Sequence, residues 1–411
     1  MIKRVQTQRL VELLERFPVV AVIGPRQVGK STLVQSAPVC AGRSYFTLDD
    51  FEVLGLAEKD PKALLAAREC VTLDEAQRCP ELLRYIKAEV DRNRRPGRFL
   101  LTGSADLRFS ADLSRELAGR VGILPLPPLS WRELDGRLDP PSWLGWINAA
   151  DIAVVERSCK PVTPKTSDVD AMFSGGYPLA VTASTRDARR DWFSSYRFTY
   201  LERDVRQISN IGNLADFARL FQTVAGRTSQ LLNIASLSRD VGLNAATAGR
   251  YLSLLEASFQ IMRLTPWFSN MGKRLVKSPK VYWFDTGLLA HLLGLDTWAD
   301  AAAHALGGAF LETFVMLEVQ KQIGVYDPSM RLHFVRSHDG LEVDGLIVRG
   351  LKQLPFEVKA STTVRVEDGA NLERYLNLSG SASVGVVFYR GTECRRLSAH
   401  VLAIPVSLLL S

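Results

Sequence analysis

The sequence predicts an α/β protein in three parts: an N-terminal parallel sheet sandwiched by helices, a mainly helical middle, and a C-terminal α/β domain. Three observations carry this expectation. Over the first 135 residues, short apolar runs rich in β-branched residues alternate with helical patterns, the order that builds a parallel sheet. From Leu231 the apolar spacing becomes helical and is broken once by glycine. After residue 300 a long helical pattern precedes three strand-like runs separated by turns.

The chain has 411 residues, 46% hydrophobic and 23% charged, enough for two or three cores. The boundaries read as 1–150, 166–300 and 301–411, with the proline-rich stretch 136–165 as a connector. No apolar run reaches the roughly eighteen residues of a membrane span. The opening "MIKRVQTQRLVELLERF" reads as an amphipathic helix and not a leader, so a cytoplasmic protein without membrane contact is expected. The five cysteines are scattered and lack any CxxC pairing, which points to neither a disulfide framework nor a zinc site. A net charge of +7 favours a polyanionic partner only slightly.

The first site signal is "VVAVIGPRQVGKSTLV", Val19 to Val34. An apolar strand runs into Gly24, Pro25, Arg26, Gln27, Val28, Gly29, Lys30 and Ser31, followed by Thr32 at a helix start, which meets GxxxxGK(S/T) in full. Glycines let backbone N–H groups curl around phosphate oxygens, Lys30 reaches the β and γ phosphates, and Ser31 ligates Mg²⁺. In "ECVTLDEAQRCPEL", Asp74 and Glu75 end a strand, where ligands of open α/β sheets gather. Asp74 would hold Mg²⁺ through its water shell and Glu75 would polarise the attacking water as general base, a helix cap being the plain alternative. "RFLLTGSAD" ends a further strand with Thr102 and Ser104, candidates for sensing the γ-phosphate, and Ser104 is equally a cap. Asp49 and Asp50 read as caps.

"GPRQVGKST", "LDEAQRCPEL", "LLTGSA" and "LAGRV" followed by "LPPLSWREL" resemble the AAA-type domain of a widespread group of prokaryotic ATPases that carry a C-terminal domain of unknown function. The motifs cover roughly residues 1–135, and "GGYP" and "PKVYWFDTGLL" extend the likeness along nearly the whole chain. The resemblance implies ATP rather than GTP. The positive charge such sites use at the γ-phosphate has three candidates, Arg120, Arg203 and Arg206.

In the middle, "RRDWFSSYRFTYLERDVRQI" spaces its aromatics as a core-facing helix. "LLNIASLSRDVGLNAATAGRYLSLLEASFQIMRLTPW" reads as helix, turn at Gly242, helix from Asn244 and an extended hairpin-like tail, a winged helix-turn-helix layout. The face that would enter a DNA groove carries Ala246, Thr247 and Arg250, poor in groove-reading side chains, so packing or oligomerisation ranks ahead of nucleic-acid contact. Lys273, Arg274, Lys277 and Lys280 form a basic run that grips phosphates or lies in a solvated loop.

In the last hundred residues, Glu357 and Lys359 of "EVK" alternate on a strand toward one face, and Asp344 of "EVDG" lies on the neighbouring hairpin strand. Two carboxylates and a lysine so arranged can hold Mg²⁺ and place a water against a phosphodiester. With Glu312 on the preceding helix, this looks like the PD-(D/E)xK nuclease core, a restriction-endonuclease-like fold. The resemblance implies Asp344, Glu357 and Lys359 as catalytic residues and Glu312, Asp344 and Glu357 as metal ligands, Glu318 being the weaker alternative. The combined expectation is a Mg²⁺-dependent ATPase coupled to a nuclease-like domain directed at nucleic acid. The alternative is a regulatory or scaffold ATPase whose C-terminal domain is inactive and binds proteins. Partners admitted are ATP, DNA or other nucleic acid, and further copies of the chain as a homo-oligomer.

Overall fold

The computed structural model describes residues 2–66, 68–104, 107–160, 162–201, 213–267 and 278–411. β1 (Val19–Gly24), β2 (Ser44–Thr47), β3 (Val71–Asp74), β4 (Phe99–Ser104) and β5 (Val121–Pro125) form a parallel sheet in the order β2-β3-β4-β1-β5. Val20, Val22 and Leu100 enter one core while Val19, Ala21, Phe99 and Leu101 enter another, so the strand period of two feeds helices on both faces. Because β4 lies between β1 and β3, the glycine loop after β1 and the acids after β3 flank the carboxyl end of β4.

In the middle region, the helix Leu214–Ala225 is followed by β6 (Gln230–Leu231), helices Ile234–Val241 and Ala245–Ala257, β7 (Ile261–Leu264) and β8 (Lys280–Trp283). The strands pair antiparallel in the order β6-β8-β7. The helix break falls at Gly242, with Asn233 and Asn244 capping the two helices through their side chains. Phe193, Tyr196 and Tyr200 of the aromatic stripe are buried, and Trp192 stacks on Tyr196, which makes the stripe core.

The C-terminal part packs the helix Gly307–Tyr326 against a mixed sheet. Its strands are β9 (Arg331–Arg336), β10 (Glu342–Arg349), β11 (Lys352–Lys359), β12 (Gly385–Tyr389), β13 (Arg395–Arg396) and β14 (Val401–Pro405). Their order is β13-β14-β12-β11-β10-β9, with β9, β10 and β11 antiparallel and β12 parallel to both β11 and β14.

The stretch expected to be a connector is structured. Ser142–Asn148 forms a 3-10 turn and Ile152–Ser158 a helix, with Trp143, Trp146 and Ile147 buried. Trp143 Nε1 donates to Gln322 Oε1 at 2.8 Å, and Arg349 donates to Asn148 Oδ1 at 2.6 Å. The flanking prolines stop regular helix, but apolar residues three and four apart still give the turn one face to bury. Among the described residues, no helix is long and apolar enough to cross a membrane.

Candidate functional site

The loop after β1 has the shape of a phosphate cradle. Gln27 and Gly29 both take left-handed backbone angles, φ 61° and 93°, which alternate with ordinary ones and fold the loop into a concavity that presents N–H groups. Gly24 is required by close approach, since a Cβ there would lie 2.2 Å from the carbonyl oxygen of Leu126. Lys30 is buried, and its Nζ donates to the carbonyls of Gly24 at 3.1 Å and Pro25 at 2.8 Å, across the mouth of the loop. Thr32 is exposed on the helix that begins at Lys30.

The back of the loop is braced by residues that carried no assigned role. Arg4 donates to the Val28 carbonyl at 2.8 Å, the Pro127 carbonyl at 2.6 Å and Glu133 Oε1 at 2.9 Å. Glu133 and Ser130 of "LSWREL" form a capping box, so this motif is a structural brace for the cradle.

Asp74 is buried at the end of β3 and accepts two hydroxyls: Tyr45 on Oδ2 at 2.6 Å and Thr102 on Oδ1. The Thr102 hydroxyl also accepts the Glu75 N–H at 3.3 Å. Burial, then hydrogen bonding to Asp74, pushes the Tyr45 phenol pKa up. Asp74, Glu75 and Thr102 therefore meet at the carboxyl end of the sheet's interior strands, where β1 also delivers the glycine loop. Glu75 itself has a left-handed φ of 56°, and its carboxylate accepts from Gln77. Tyr45 was not foreseen; only its position on β2, paired opposite Thr72 of β3, brings it there.

Other candidates fall elsewhere. Asp50 caps the helix Phe51–Lys59 and Asp49 pairs with Arg78. Arg120 precedes β5 at the amino end of the sheet, bound to Asp91 at 2.6 Å, so it cannot serve the loop of its own chain. Arg203 and Arg206, like Lys273, Arg274 and Lys277, lie outside the described residues.

The "GGYP" and "FDTGLL" motifs meet beside the cradle. Gly176 N–H donates to Asp285 Oδ2 at 2.7 Å, and its carbonyl accepts from Leu129 N–H at 2.7 Å. Asp285 Oδ1 caps the next helix through Leu288 N–H at 2.9 Å. The Pro178 ring lies 4.0 Å from the place a Cβ on Gly29 would take, so the middle region forms part of the cradle's wall.

A second cluster lies on the C-terminal sheet. Glu357 and Lys359 sit side by side, Oε2 to Nζ 2.7 Å, and Asp344 Oδ2 accepts the intervening Val358 N–H at 3.0 Å. Asp344 lies where the pairing of β10 with β9 shifts register, between Val343 and Leu346. Glu312 accepts the Tyr282 hydroxyl at 2.6 Å. Lys280, expected in a phosphate-gripping run, is instead buried among Glu312, Glu342 and Asp344, at 3.2, 3.3 and 3.7 Å. Burial lowers its pKa, but the three carboxylates outweigh that and raise it. Burial, then Asp344, pushes the Glu312 carboxyl up to about 7. Burial and Asp344 likewise raise Glu357, partly offset by Lys359. Among the described residues, no group of three or more His, Cys, Asp or Glu is arranged to hold a metal ion. Glu318 does not join the cluster: it accepts Trp131 N–H at 2.8 Å and pairs with Lys321 at 2.9 Å. Ala246 and Arg250 are exposed and Thr247 half-exposed on their helix.

Residues 16–135 match a family described as an AAA domain. Residues 168–299 and 307–409 match two families described as domains of unknown function, DUF8612 and DUF4143. The chain is 31% identical over 414 residues to the uncharacterized protein Mb2031c of Mycobacterium bovis and, equally, to Rv2008c of Mycobacterium tuberculosis. Both alignments take in 100% of this chain and 85% of the relative. Among solved structures, the Walker-type ATPase PABY2304 of Pyrococcus abyssi is similar at a TM-score of 0.44 and 15% identity, over 71% of this chain and 96% of that one.

Proposed function

We propose that this chain, which belongs to one family with the two mycobacterial proteins, is a Mg²⁺-dependent ATPase that acts as a switch for its C-terminal part. The observation that carries the reading is the gathering of the Lys30 and Ser31 loop, Asp74, Glu75 and Thr102 at the carboxyl end of the interior strands of one parallel sheet. The residues fit the expected ligands: the loop presents N–H groups to phosphate, Asp74 offers a buried carboxylate, and Ser31 a hydroxyl at the start of the helix after the loop. Ser31 and Asp74 would hold Mg²⁺, which when bound neutralises charge on the β and γ phosphates. Lys30 exchanges its two loop carbonyls for phosphate oxygens, Glu75 takes the proton of the attacking water, and Thr102 links the state of Asp74 to the backbone of Glu75. Pro178 against Gly29, with Gly176 tied to Asp285, supports a route from the cradle into the middle region. Lys30→Ala removes a charge-assisted contact worth about 1.5–3 kcal/mol, so ATP should bind roughly 10–100-fold more weakly. Equal affinity in a fluorescent-nucleotide titration would reject the cradle assignment.

For the C-terminal part, two readings stand. The order helix, β9, β10, β11, helix, β12 and the placing of Asp344, Glu357 and Lys359 support a restriction-endonuclease-like fold acting on nucleic acid. Lys280, however, stands between Glu312 and Asp344, two of the three acids expected to hold Mg²⁺, and the third, Glu357, is paired with Lys359, so these residues as placed do not fit the metal. The regulatory reading, in which the domain is an interaction module, is therefore the better supported. It predicts no Asp344-dependent cleavage of plasmid, single-stranded or branched DNA with Mg²⁺ or Mn²⁺. Cleavage that Asp344→Ala and Lys359→Ala abolish would restore the nuclease reading. The order of strands and helices between residues 214 and 283 supports a winged helix here, with DNA contact tested by salt-sensitive binding.

A further inference from the structure

Lys280 begins β8 and reaches out of the middle sheet into the acids of the C-terminal part. Its side chain is only 3% exposed, with the ammonium 3.2 Å from Glu312, 3.3 Å from Glu342 and 3.7 Å from Asp344. Nζ also stands 5.6 Å from the centre of the Phe334 ring. We propose that this ammonium is the resident cation of the acidic cluster: it stands between Glu312 and Asp344, two of the three acids a divalent ion would need, and clasps the middle sheet to the C-terminal part. The inference deepens the regulatory reading of that part and is independent of ATP hydrolysis.

The distances argue for an ammonium site. Mg²⁺ demands about six oxygens at roughly 2.0–2.1 Å in near-octahedral order. Here three carboxylate oxygens from a helix and from β10 stand at ammonium spacing around Nζ, and they would have to close by roughly 1.1–1.7 Å for a metal. Both cations cannot share the space, because a divalent ion at contact distance from an ammonium is repelled. The remaining charges are already partnered: Lys359 lies on Glu357, and Arg336 shares Glu342 at 3.4 Å. Lys280 is also fixed at its root, its backbone opposite Leu231 of β6 and Leu264 of β7, so the ammonium cannot withdraw by a simple rotation of an exposed side chain. Tyr282, two residues along the same strand, adds its hydroxyl to Glu312, which makes β8 the shared donor to the cluster.

The test is Mn²⁺ binding to the nucleotide-free full chain, followed by electron paramagnetic resonance. The native protein should bind no Mn²⁺ that Asp344→Asn abolishes, whereas Lys280→Ala should gain a single site, lost again when Asp344→Asn is added. Removal of the ammonium leaves the half-buried Glu312 and Asp344 without their cation, so Lys280→Ala should melt earlier and recover in Mn²⁺ but not in Na⁺. Asp344-dependent Mn²⁺ binding by the native chain would overturn the inference, even if Lys280→Ala failed to fold. So would a folded Lys280→Ala that gains no site. Absence of DNA cleavage together with native Mn²⁺ binding would overturn the inference alone; Asp344-dependent cleavage would overturn the regulatory reading as well.

Discussion

Glu75→Gln is expected to bind Mg·ATP with near-native affinity and to hydrolyse it about 10²–10⁴-fold more slowly, the usual contribution of a positioned general base. The amide keeps the size and the hydrogen-bonding oxygen of the carboxylate but cannot take a proton from water. Two features separate this reading from a capping role. The Glu75 side chain makes no cap bond to the short 3-10 turn it precedes. Its backbone is held at a φ of 56°, a conformation that costs a non-glycine residue roughly 1–3 kcal/mol and persists where surrounding structure enforces it, here through Thr102. A structural role would lower the melting temperature and leave the rate per folded molecule unchanged. Single-turnover hydrolysis beside a nucleotide titration distinguishes the two, and native turnover by Glu75→Gln would remove the residue from the mechanism.

The parts of this site that were legible in the sequence are those encoded by neighbours in the chain. The cradle is one contiguous loop between a strand and a helix, and Asp74 and Glu75 follow directly from an apolar run, so spacing alone carries them. Glu357 and Lys359 are legible for the same reason, being two apart on β11. Tyr45 and Lys280 were not, because their roles depend on which strand lies next to which. Tyr45 reaches Asp74 only once β2 is placed beside β3, and Lys280 looked like one member of a basic run until β8 carried it against Glu312. Arg4 and Glu133 are separated by more than a hundred residues and meet through the closure of the N-terminal part, which no local pattern encodes. The stretch 136–165 misled in the opposite sense. Its prolines read as linker, while the burial of Trp143 and Trp146 against distant strands overrode the local signal.

Asp285→Ala is expected to destabilise the fold by about 2–6 kcal/mol, because two buried backbone N–H groups lose their acceptor together and each such loss costs about 1–3 kcal/mol. Those groups are Gly176 N–H and Leu288 N–H, held by the two different oxygens of one carboxylate. That division makes Asp285→Asn informative. Its single oxygen satisfies one N–H, and its amide NH₂ then faces the other donor, so Asn should fall between Ala and native. Burial raises the Asp285 carboxyl above the usual range, opposed by the N–H groups of Gly176 and Leu288, so the native residue carries a cost of buried charge that Asn avoids. The shift should be read as a lower denaturant midpoint at constant slope. An unchanged midpoint for Asp285→Ala would mean that water replaces the carboxylate at both N–H groups. The same substitution tests the route from the cradle, since Gly176 also receives Leu129 and leads directly to Pro178 beside Gly29. If that wall shapes the cradle, KM for ATP should rise in the folded variant; if it only holds helices together, stability should fall and KM should stay where it was.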